Sequence, residues 1–77
     1  MHRLRDNIDV VDFLNTISGR CAGRVWFGTS QGDEIDLKSE LSRYLFLTMC
    51  KQDDFLRTGT VRFDEPQDVR TLRQFLI

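Results

Sequence analysis

The sequence predicts an α+β fold, a two-layer open-faced sandwich with helices on one face of a four-stranded antiparallel sheet. Three observations point there. Three segments carry apolar residues at helical spacing, each on a single face. Between them lie short β-rich runs in which apolar and polar residues alternate. Glycines and polar turn clusters, rather than long linkers, divide the elements. A chain of 77 residues, 40% apolar and 30% charged, suits one folded domain over 1–77.

Residues 2–6 read as a short polar strand with Leu4 inward. Val10, Phe13, Leu14 and Ile17 then form the stripe of a first helix, with Asn7 as its N-cap and Gly19 past its end. Arg24 to Thr29 and Glu34 to Leu37 flank the turn cluster Ser30-Gln31-Gly32-Asp33 and predict a hairpin. Ser39 opens a second helix as a capping hydroxyl, and Leu41, Tyr44, Leu45 and Thr48 set its inward stripe. After the polar connector Lys51-Gln52-Asp53-Asp54, Thr58 to Phe63 alternates as a last strand. Asp64-Glu65-Pro66-Gln67-Asp68 starts a third helix, with Val69, Leu72, Phe75 and Leu76 on its apolar face. The order is β-α-β-β-α-β-α. A ferredoxin-like strand order is the nearest competitor.

Composition excludes several functions. Eleven Lys plus Arg against twelve Asp plus Glu leave a net charge of −1, which does not favour polyanion binding by bulk charge. No run approaches the ~18 apolar residues of a membrane span. The start Met1-His2-Arg3-Leu4-Arg5-Asp6 lacks the apolar core of an export signal, so a cytoplasmic location with reduced thiols is expected. Cys21 and Cys50 are not in a C-x-x-C pair, and His2 is the only histidine, so no metal site and no cofactor are expected. The cysteines read as small core residues. Asp33-Glu34 and Asp53-Asp54 are adjacent carboxylates in loops or at a strand edge, which read as solvated charge. Gly28 and Gly32 are isolated turn glycines, and neither Ser39 nor Ser42 has a histidine to activate it. No enzymatic activity is expected.

The element order, the helix around Phe13-Leu14, the run Asp36-Leu37-Lys38-Ser39 and the strand–helix pair from Val61 to Leu76 together resemble the histidine-containing phosphocarrier (HPr) family. The resemblance spans most of the chain and implies sheet order 1-4-2-3. The stretch from Ser39 to the last strand is longer here than in that family. Aligned on Phe13-Leu14, the family's phosphoacceptor histidine falls near Asp6 and its arginine near Ile8, so the resemblance implies an HPr-like domain without histidine phosphotransfer. Lys38-Ser39 matches the family's regulatory serine, which makes Ser39 a phosphorylation candidate. The segment Gly32 to Ser42 also resembles a group of small uncharacterised bacterial proteins, some described as polyA polymerases; no nucleotidyltransferase head is present here.

The expected function is therefore protein binding, with an unidentified protein or a second copy as partner. Strand alternation sends Arg3, Arg5, Arg24, Trp26, Glu34, Asp36, Thr60 and Arg62 to the open face of the sheet. Trp26 with Arg24 and Arg62, extended by Arg3 and Arg5, is the candidate binding surface, since Trp and Arg are enriched at interface hot spots. A serine-phosphorylated switch at Ser39 and single-stranded RNA stacked on Trp26 are the alternatives. The acidic edge at Glu34 and Asp36 weighs against nucleic acid.

Overall fold

The computed structural model describes residues 2–52 and 54–77. Helix α1 spans Val10–Arg20. Its N-cap is Asp9, whose carboxylate accepts from the Asp12 backbone N–H at 3.1 Å. Asn7, expected to cap, instead sits in the left-handed region at φ 61° and turns the chain before the helix. Gly19 lies within α1, which ends at Cys21 with extended backbone.

Strands β1 (Val25–Gly28) and β2 (Glu34–Asp36) form the expected hairpin. Register pairs Trp26 with Asp36 and Phe27 with Ile35. The turn closes through the Thr29 N–H to the Asp33 carbonyl at 2.8 Å, and Gly32 supplies the required φ of 94°. Helix α2 spans Glu40–Met49, and the single-turn helix α3 spans Phe55–Thr58. Strand β3 (Thr60–Phe63) pairs antiparallel with β1 and sets Arg62 opposite Trp26. Helix α4 is the short segment Asp68–Thr71, followed by a 3-10 turn at Arg73–Phe75. The longer third helix expected from the apolar spacing is thus broken at Leu72, whose φ of −100° and ψ of 9° leave the helical region.

The sheet has three strands in the order β2-β1-β3, not four. Residues 2–6 do not make the expected edge strand. They contribute two isolated bridges, His2 to Val61 and Leu4 to Leu76. The His2 carbonyl accepts from Val61 N–H at 2.7 Å on the β3 edge. The chain then leaves β3 for the C-terminal residues: Arg5 N–H donates to Phe75 at 2.8 Å, and Ile77 N–H donates to Arg3 at 2.9 Å. Hydrogen bonds divided between two partners cannot build a continuous ladder. The four-stranded, HPr-like sandwich is therefore corrected to a three-stranded α+β fold with helices α1 to α4.

Alternation along the strands holds. Val25, Phe27, Leu37 and Val61 are fully buried, Ile35 nearly so, while Arg62 and Glu34 are exposed. Phenylalanine rings knit the layers together. Phe46 on α2 meets Phe27 on β1 edge-to-face at 5.1 Å between centroids, and Phe13 on α1 meets Phe75 at 5.2 Å. Such pairs add about 0.5–1.5 kcal/mol each beyond the area they bury. Gly59 lies against the Phe27 ring; a Cβ there would overlap it.

Candidate functional site

Helix α2 carries apolar residues on two faces, and only one of them enters the core. Phe46 is fully buried, with Leu47 and Met49 packed beside it. The expected inward stripe lies on the other side. Leu41 is 80% exposed, Tyr44 67% and Leu45 51%, and Thr48 is exposed with them. Leu41 and Leu45 are thus corrected from core residues to surface residues. Phe46 occupies the space they were expected to fill, because its ring alone reaches Phe13, Phe27 and Phe55.

Beside this row runs a groove of about 280 Å³ between α1 and α2, lined by Val11, Leu14, Asn15, Glu40, Tyr44 and Leu47, with Arg43. Val11, 58% exposed, continues the apolar surface from α2 onto α1. Arg43 donates to Ser18 Oγ at 3.1 Å, while its buried Nε has no acceptor among the described residues. Glu40 and Lys51, exposed at opposite ends of the row, have no ion-pair partner among the described residues.

The sheet face places Trp26, Arg24 and Arg62 together, but engages both arginines. The Arg62 guanidinium lies 4.2 Å from the Trp26 ring centroid and donates two bonds of 2.9 Å to Glu34. That pairing holds the Glu34 carboxyl below its ordinary value and the Arg62 guanidinium above its own. Arg24 is bridged to Asp36 at 2.8 Å. Arg3 and Arg5 do not extend this patch through a fourth strand. Arg3 donates to the Arg57 carbonyl at 2.9 Å and Arg5 Nε to the Leu76 carbonyl at 2.7 Å, both at the joined chain ends.

Ser39 stands at the N-cap of α2, as expected, and its carbonyl accepts from Arg43 N–H at 2.9 Å. Its hydroxyl, expected to cap the helix, makes no capping bond; only the backbone occupies the cap position. Asp6, at the phosphocarrier histidine position, lies in a turn before α1. His2 packs edge-to-face on Phe63 at 5.5 Å.

Sequence reasoning missed Asp68. It is buried, and its two carboxylate oxygens accept from Ala22 N–H at 2.8 Å and Gly23 N–H at 2.9 Å. Lys38 Nζ donates to the Cys21 carbonyl at 2.7 Å, so two side chains clamp the loop between α1 and β1. A lone aspartate in a helix-start motif does not signal such a partner; only the fold brings it across. Burial, reinforced by the Asp68 charge, pushes the Cys21 thiol up to about 11 against the opposing pull of Lys38. A thiol so held stays protonated and is a poor nucleophile. Cys50 is half-buried, and its thiol donates to the Leu47 carbonyl at 3.1 Å. Of the adjacent carboxylates, Glu34 is engaged by Arg62 and Asp54 by Arg57, while Asp53 lies outside the described residues. Among the described residues no cluster of three His, Cys, Asp or Glu is arranged to hold a metal, and no helix is long and apolar enough to cross a membrane.

No protein-family model, no curated protein and no solved structure matches this chain. None of these comparisons supports the phosphocarrier resemblance.

Proposed function

We propose that this chain is a non-enzymatic protein-binding domain that docks through the outward face of α2, and that it does not carry phosphate on histidine. The exposed row Leu41, Tyr44, Leu45 carries this reading. Contiguous apolar surface of this kind, rimmed by Glu40, Arg43 and Lys51, is what interaction sites present. The sheet face offers less, since its charges are already paired and Arg62 covers one face of Trp26. The same cover weakens base stacking on Trp26 as an RNA site.

The test is photo-crosslinking in the cell with p-benzoylphenylalanine in place of Leu41. Adducts are expected, and Leu45→Asp in the same chain removes them. Adducts that persist in Leu45→Asp, or disappear in Trp26→Ala, overturn the assignment of the face.

Ser39 supports a second reading, a phosphorylation switch, because its hydroxyl makes no capping bond at the N-terminus of a ten-residue helix. Phosphate there gains from the helix dipole. Incubation with an HPr kinase is expected to add one phosphate by intact mass, lost in Ser39→Ala. An unchanged mass removes this reading.

A further inference from the structure

We infer that the occupant of the α2 face is a second copy of this chain, with the two α2 helices packed antiparallel about a twofold axis. The inference rests on the docking role of α2 and names its partner. The row itself is self-complementary. Leu41, Tyr44, Leu45 and Thr48 are spaced symmetrically about the midpoint between Tyr44 and Leu45. A twofold axis through that midpoint sets Tyr44 of one copy on Leu45 of the other, and Leu41 of one on Thr48 of the other. The contact is isologous and closed, so it ends at a dimer.

Charge fixes the direction. Glu40 begins α2, and Lys51 follows its C-cap at the opposite end. In an antiparallel pair, the start of one helix lies beside the end of the other. The axis sets Glu40 opposite Met49 of the other copy, two residues from Lys51, within reach of the long lysine side chain and giving two ion pairs. Neither residue has such a partner within its own chain among the described residues. A parallel pair would put both Glu40 residues at one end and both Lys51 residues at the other, with no opposite charge for either to meet. Antiparallel macrodipoles agree with this choice. Val11 adds apolar area beside Tyr44 from α1. A face one ten-residue helix long, about 15 Å by about 10 Å, covers far less than the roughly 800 Å² per partner of stable complexes. The dimer is therefore reversible and dependent on concentration.

Sedimentation velocity of the whole chain from about 10 µM to about 1 mM reads this directly. The wild type is expected to shift from monomer to dimer across that range. Tyr44→Asp is expected to stay monomeric with an unchanged thermal melt. Glu40→Lys alone and Lys51→Glu alone each weaken the dimer about fivefold to tenfold, and the double exchange restores it. A wild type monomeric at every concentration, or a double exchange no better than either single one, overturns the inference. The docking role of α2 stands apart from that result: crosslinks from position 41 to a different protein keep it and remove the second copy, whereas crosslinks unaffected by Leu45→Asp remove both.

Discussion

Asp68 links residues that are far apart in the chain, and its contribution is open to direct measurement. Its two oxygens satisfy the amides of Ala22 and Gly23, which otherwise have no acceptor in that loop. Asp68→Ala leaves them unpaired and is expected to cost about 1–3 kcal/mol in urea unfolding. Asp68→Asn recovers only part of this, since an amide offers one acceptor oxygen where two donors wait. Cys21, beside it, gives the fold a pH signature. Its thiol titrates near 9.0 in the unfolded chain and at about 11 in the fold. Below 9 both states keep the proton, and this contribution to stability is complete. Between 9 and 11 the unfolded chain ionises first, so stability falls as pH rises. The urea midpoint of the wild type is expected to drop over that window, and that of Cys21→Ala to lose this component. A parallel drop in both proteins would assign it to another group. At the same scale, the outward position of Trp26 was legible from alternation alone. The stacking of Arg62 was not, because it depends on the β1–β3 register that sets those two residues opposite each other.

Helix α2 shows where periodicity stops deciding. Its apolar residues run nearly all the way round, so two stripes compete for the core. The stripe through Leu41, Tyr44 and Leu45 has the cleaner spacing; the stripe through Phe46 has the larger ring. Burial follows the ring because it fills the space between Phe13, Phe27 and Phe55. Phe46→Ala is therefore expected to cost about 3–5 kcal/mol. Leu41→Ala should stay within about 0.5 kcal/mol of the parent, as a surface change does. Chemical denaturation of the two variants compares them directly, and equal losses would place both stripes in the core. Helix α1 and the hairpin were legible because each offers one stripe or one alternation with no rival. The docking face was visible in the sequence as residues but not as surface.

At the scale of the molecule, the helical face of the sheet and most of its core were readable, and the edge was not. Val25, Phe27, Ile35, Leu37 and Val61 alternate as written. Leu4 also faces inward as expected, but its neighbours bond to the last residues of the chain rather than along β3. Nothing local in Arg3-Leu4-Arg5 distinguishes a partner such as Val61, which bridges His2, from one such as Leu76, which bridges Leu4, so the choice was hidden until the chain folded. Removal of residues 75–77 takes away Phe75 and Leu76 from the core and the acceptor for Arg5. The shortened chain is expected to lose its cooperative thermal transition, followed by circular dichroism. A transition within a few degrees of the full chain would mean that the joined ends contribute little.

The joining of residues 2–5 to residues 75–77 sets the order of events during synthesis. Helix α1 and the hairpin need only near neighbours, so they can form while the chain is still emerging from the ribosome. Leu4 cannot reach its seat until Phe75 and Leu76 have been translated and released from the exit tunnel. Until then the nascent chain lacks Phe75, the edge-to-face partner of Phe13. Folding therefore closes only once residue 77 has cleared the tunnel, and a ribosome stalled with that residue still inside should hold a protease-sensitive chain that becomes resistant when the residue emerges.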